Sequence, residues 1–202
     1  MRDDRNRWPV AVEFERPNLV RDTISMRYVS PARQTVISGN FEDCLALSGL
    51  ETAVGGGTGF ASGETYALRQ RRDRVVVVNG PDIADGWHSE HNVAVSDMTS
   101  AYSVIEMTRA RVELLIATGT EFNCDQASAS VSRLWHGFGV LLYRHGAKDV
   151  FRMHVRTVLA EAVWDMLERQ IDSLASIWAD QRDLGEMAKD MDGAKLTCKE
   201  AS

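Results

Sequence analysis

The chain has few cysteines, no long apolar run and no excess of basic residues. Its three cysteines, Cys44, Cys124 and Cys198, are widely spaced and odd in number. That argues against a disulfide framework and against the paired spacing of a structural zinc site. No stretch approaches the roughly 20 consecutive apolar residues that span a bilayer. The opening Met1-Arg2-Asp3-Asp4-Arg5 mixes acids with bases and has no apolar segment behind it, unlike a secretory signal. A cytoplasmic protein without a membrane partner is the expectation. A formal net charge of −6 supplies no global field to draw nucleic acid. What remains is 202 residues, 44% apolar and 26% charged, which suits one ordinary globular domain or two small lobes sharing a core.

The order of elements is the most informative feature. Residues 1–30, with Pro9, Pro17 and mixed charges, read as an extended arm with at most a short strand. A first α+β lobe is expected over 31–98. It opens with the alternating strand Gln34–Ser38 and a short helix Phe41–Ser48, with Asn40 as N-cap and Gly49 as C-terminal stop. Two strands follow, Glu64–Gln70 and Asp73–Asn79, the second carrying the fully apolar run Val75–Val78. A helical turn through Ile83 to His88 and a strand at Asn92–Asp97 complete a split βαβ, ferredoxin-like order. A second lobe over 99–182 repeats the theme: strand Tyr102–Met107, helix Arg109–Ala117, strands Ala127–Trp135, Phe138–Arg144 and Val150–Val155, then a long amphipathic helix after Arg156. If that helix reaches Arg182 it is roughly 40 Å long at about 1.5 Å per residue, and its end is expected to pack on another subunit. Residues 183–202 read as a polar tail.

No stretch carries an evident catalytic constellation. Gly55-Gly56-Gly57-Thr58-Gly59 could cradle phosphate with its amides, but no Lys-Ser or Lys-Thr follows and it does not join a strand to a helix, so a mobile surface loop is expected. His88-Ser89-Glu90-His91 supplies too few ligands for a stable metal site. Asp97, followed by Thr99 and Ser100, could orient a substrate or simply cap a turn. His136, His145 and His154 have no adjacent nucleophile and read as ordinary surface or partly buried histidines. Cys124 follows a helix rather than opening one, so it reads as an inert thiol. The run Arg69-Gln70-Arg71-Arg72-Asp73-Arg74 is either a solvated hairpin or a site for an anion or a partner.

Taken together, the ordered pieces resemble the aminomethyltransferase-like folate-domain superfamily, and within it the gamma subunits of heterotetrameric sarcosine oxidases. The pieces are Val95-Ser96-Asp97-Met98-Thr99-Ser100, Tyr102–Met107, Ala110–Gly119, Ser132-Arg133-Leu134-Trp135, Val140-Leu141-Leu142-Tyr143, Phe151-Arg152-Met153-His154-Val155-Arg156 and Ala160–Leu167. The likeness covers roughly residues 30–170. It departs at Thr108, where the family usually has glycine. The resemblance implies two ferredoxin-like, aminomethyltransferase-type lobes with mostly antiparallel sheets and a long C-terminal helix. It also implies a complex with alpha, beta and delta subunits that oxidises an N-methyl amine. Flavin, tetrahydrofolate, a dinucleotide and zinc would then belong to those partners, and this chain would bind none of them. Candidate interface residues are Trp135, Phe138, Trp164, Ile177 and Trp178. The rival readings are a stand-alone tetrahydrofolate-dependent aminomethyltransferase-like enzyme and a free-standing ligand-binding module.

Overall fold

Two antiparallel sheets pack face to face, and helices cover both outer sides. The structure, a computed structural model, describes residues 16–177. Its strands are β1 (Leu19–Val20), β2 (Ser25–Val29), β3 (Gln34–Ser38), β4 (Phe60–Ala61), β5 (Tyr66–Arg71), β6 (Arg74–Val78), β7 (Gly86–His88), β8 (Val93–Asp97), β9 (Tyr102–Thr108), β10 (Ser132–Trp135), β11 (Phe138–His145) and β12 (Val150–Arg156). Helix α1 spans Phe41–Ser48 and α2 spans Val112–Ala117. A 3-10 turn at Thr157–Leu159 leads into α3, described over 160–177.

In the first lobe the strand order is β5-β6-β3-β8-β7. β3 and β5 flank β6, which runs antiparallel to both, with α1 connecting β3 to the later strands. This is the split βαβ arrangement expected from the sequence. The caps of α1 also fall where expected. The Asn40 side chain accepts from the Glu42 amide at 2.9 Å, and Gly49 closes the helix in the left-handed region at φ 70°. The apolar run in β6 is explained by burial on both faces. Val75 and Val77 pack with Ile37, Cys44 and Leu45 under α1, whereas Val76 and Val78 face the other sheet.

The second sheet has the order β1-β2-β9-β12-β11-β10, with β4 parallel to β11 beyond the end of β10. Its outer face carries α2 and α3, through Val112, Leu115, Ile116, Val163, Trp164, Leu167 and Ile171 packed on Met26, Ile105, Met107, Leu142 and Phe151. Its inner face presents Leu141 and Tyr143 to Val36, Leu68, Val76 and Tyr66 of the first sheet. Segment 19–29, expected to belong to an extended arm with at most a short strand, supplies two strands to this sheet: β1 pairs with β2, and β2 pairs with β9 over Ser25–Val29. Alternation in Ile24-Ser25-Met26-Arg27 was the available signal, and pairing with β9 organises it. The same segment is held to α3 by Arg16, which bonds Glu161 and Asp165, and by Arg21, which bonds Asp172.

Three further expectations are corrected. Residues 86–88 are not helical; they extend the free edge of β8 as β7. Residues 127–131 are not strand, because the Ser128 and Ser130 hydroxyls bond nearby backbone and that of Gln70, in competition with a ladder. Helix α2 starts at Val112 rather than Arg109, since Arg109 sits at φ 92° and cannot lie in a helical turn. A helix end at Arg182 and the 183–202 tail lie outside the described residues.

The glycine-rich loop is packed rather than a mobile surface feature. Gly56 and Gly57 are buried, and Gly56 bridges Ser128. A Cβ on Gly57 would lie 1.7 Å from the Gln126 carbonyl oxygen, and its φ of 73° disfavours any other residue. Gly57→Ala is therefore expected to cost about 2 kcal/mol or more, read as a lower urea midpoint. A midpoint within error of the parent would show that the loop can shift freely.

Candidate functional site

The inner faces of the two sheets hold a buried polar chain at one end and open into a cleft at the other. Register places the polar groups together. Glu106 on β9 lies opposite Arg27 on β2 and Arg152 on β12, and Arg152 in turn lies opposite Tyr143 on β11. One Glu106 carboxylate oxygen accepts from Arg27 at 2.6 Å and the other from Arg152 at 2.9 Å. Burial would raise this carboxyl's pKa, but bonds from Arg27 and Arg152 outweigh it and hold the group below the usual carboxylate range.

From Arg152 the chain crosses between the sheets. Its guanidinium donates to the Tyr66 hydroxyl at 3.1 Å, Tyr66 bonds Tyr143 at 2.8 Å, and Tyr143 bonds His154 Nε2 at 2.7 Å. Arg152 can only donate, so the arrangement that uses every hydroxyl hydrogen runs Arg152 to Tyr66 to Tyr143 to His154. That arrangement leaves the imidazole hydrogen on Nδ1, which is buried without a partner. Far from being a surface histidine, His154 is wholly buried, and burial together with the Arg152 charge pushes its pKa down to about 3. Burial first, then Tyr66, pushes the Tyr143 phenol well above its ordinary range. The chain welds the lobes but exposes no acid or base to a substrate.

The cleft occupies the opposite end of the same inter-sheet space. It has a volume of about 460 Å³ and lies between the β5–β6 hairpin of the first lobe and strands β9 to β12 of the second. Arg71 and Arg74 line one side, Arg133, Arg156, Tyr102 and Ser132 the other, and no acidic residue, histidine or thiol is among the lining residues. Arg74 donates to Ser38, and Arg133 donates to the Ser130 and Ser132 carbonyls. Arg133 is half-buried without a carboxylate, and burial lowers its pKa. Gly56 makes room for it, since a Cβ there would stand 2.9 Å from a guanidinium nitrogen. The sequence showed the hairpin arginines but not Arg133 and Arg156, which three-dimensional pairing alone brings beside them.

The other candidates fall elsewhere. Trp135 and Trp164 are removed from any interface: both are core, at 0% and 2% exposure, and Trp164 stacks on Tyr28 at 4.6 Å. Phe138 is half-buried against that core, Ile177 is 48% exposed, and Trp178 lies outside the described residues. Val20, Trp87, Leu114, Leu134 and Val158 are apolar side chains at least half exposed that sequence reasoning missed. Asp97 accepts from the Thr99 amide and hydroxyl at 2.9 and 2.6 Å, which forms the turn and lowers its pKa. Cys44 and Cys124 are free thiols that burial pushes up to about 11, and Cys198 lies outside the described residues. His88 bonds the Ala84 carbonyl, and among the described residues no three metal-type side chains converge. No described helix is long and apolar enough to cross a membrane.

These features define an α+β protein of two ferredoxin-like lobes packed sheet to sheet under outer helices. The same fold occurs in a chain of the heterotetrameric sarcosine oxidase from Corynebacterium sp. U-96, solved in complex with pyrrole 2-carboxylate. That chain is similar at a TM-score of 0.60 and 14% identity, over 74% of this chain and 84% of that one. At such identity the likeness is one of fold. No protein-family model and no curated protein matches the sequence.

Proposed function

We propose that this chain is a small, gamma-type subunit of a sarcosine oxidase-like heterotetramer, without an active site of its own. The complex would oxidatively demethylate an N-methyl amine and pass the one-carbon unit to tetrahydrofolate. In this reading the chain packs on the folate-binding alpha subunit in the cytoplasm, and the flavin, folate, dinucleotide and zinc belong to the alpha, beta and delta subunits. The observation that carries it is the extent of the fold likeness: it covers 74% of this chain and 84% of that one, most of each. The interior agrees with a scaffold role. Tyr66, Tyr143 and His154 fill the centre between the sheets with the chain's own side chains.

A stand-alone aminomethyltransferase-like enzyme is favoured less, because the cleft lining offers no carboxylate or histidine to move a proton. Co-expression of the full chain with the open reading frames flanking its gene tests the proposal. The expected result is a stoichiometric complex that carries flavin absorbance and oxidises an N-methyl amine. The proposal fails if the flavoprotein assembles fully without this chain, or if the isolated chain turns over tetrahydrofolate.

A further inference from the structure

We propose that the four-arginine cleft between the lobes is a binding site for a small multivalent anion bearing phosphate or carboxylate groups. The site does not depend on the subunit reading above, since every residue that forms it lies within this chain. Three observations converge on it. Four arginines are among the residues that line one space of about 460 Å³, within the usual range for small-molecule pockets. They come from separate elements of both lobes, the β5–β6 hairpin, β10 and the end of β12, in a chain whose net charge is −6. The concentration of positive charge is therefore local and opposes the overall balance.

The second observation is the absence of compensation. Two enclosed arginines elsewhere in this protein find carboxylates: Arg152 has Glu106, and Arg144 has Glu113. In the cleft, Arg133 is half-buried against two carbonyls and the Phe122 ring, with no carboxylate, while Arg71 and Arg156 have no acidic partner among the described residues. Like charges lining one space repel, and a bound anion relieves that repulsion. The third observation is the accompanying polar set. Tyr102, the register partner of Arg156, and Ser132, whose hydroxyl bonds the Gln70 carbonyl, line the same space. The planar fork of arginine pairs two-to-two with carboxylate or phosphate oxygens, so four of them suit two or more anionic groups on one ligand. The glycine at position 56 preserves room for the Arg133 guanidinium.

Calorimetric titration of the full chain at constant ionic strength tests the site, with sodium pyrophosphate in one arm and tricarballylate in the other. Saturable one-to-one binding of at least one probe is expected. Arg71→Gln and Arg156→Gln, one from each lobe and both exposed, are each expected to weaken it by roughly tenfold or more. Arg169→Gln, on α3 and outside the cleft, removes the same charge and is expected to leave binding unchanged. Binding of pyrophosphate alone assigns phosphate chemistry; binding of tricarballylate alone assigns carboxylate. The proposal is overturned if neither probe saturates, or if all three variants weaken binding equally. It is also overturned if a poly-glutamate peptide binds while both small anions do not, an outcome that would make the cleft a protein-docking surface.

Discussion

Lowering the pH from 7 to 4 is expected to remove roughly 3 kcal/mol of folding stability through one buried imidazole. His154 is wholly enclosed, and burial pushes its pKa down to about 3, against an ordinary value near 6.5. Between those two values the unfolded chain takes up a proton that the folded chain refuses. The contribution is therefore complete above about pH 6.5 and is lost progressively as pH falls towards 3, at up to about 1.4 kcal/mol per unit. Urea unfolding at half-unit intervals measures the slope. His154→Gln keeps a polar group beside Tyr143 and cannot titrate, so its profile should be flatter over the same window. Parallel profiles for parent and variant would place the acid sensitivity elsewhere, with the carboxylates.

Glu106→Ala is the second large effect, expected at about 3–5 kcal/mol of lost stability. Glu106 is 5% exposed and is the only acid bonded to Arg152 among the described residues; the Arg152 side chain is itself only 14% exposed and tied to Tyr66. Removing the carboxylate strands a buried cation and loosens the bond that crosses between the sheets. Glu106→Gln, which keeps the shape and two hydrogen-bonding atoms, should recover part of the loss. Thermal unfolding of the two variants decides the matter. Equal, small losses for both would mean that water replaces the carboxylate and that the pair is not sealed.

Sequence periodicity made the elements legible where local chemistry and tertiary demand agree. Asn40 and Gly49 sit at the ends of α1 because an Asx acceptor and a left-handed glycine satisfy helix termini in any context. Val75–Val78 announced a strand used on both faces, and both faces are used. Legibility failed where partners distant in sequence decide. Residues 19–29 become strand only because β9 offers them an edge, and Gly86–His88 do so on the edge of β8. The glycine-rich run promised freedom, yet its missing Cβ atoms serve close approach to the 126–130 backbone. The polar chain was visible only as exceptions to apolar alternation, with Glu106 and Arg152 in strands whose neighbours are apolar. Their pairing depends on a register that one sequence does not display. The cleft is the same case: Arg71 and Arg74 adjoin in sequence, while Arg133 and Arg156 join them through folding.

The placement of β2 has a consequence for how the chain acquires its structure. In the first lobe the strand beside β3 is β8, which follows it; in the second lobe the corresponding position beside β9 is filled by β2, made before the first lobe begins. During synthesis β2 therefore lacks its β9 partner while the whole β3–β8 unit is completed, and joins the sheet only after β9 appears. Such long-range pairing slows folding and leaves an exposed edge in the interval. The second lobe is thus not a contiguous folding unit, and a break in the chain between Met98 and Ala101 would separate strands that belong to one sheet.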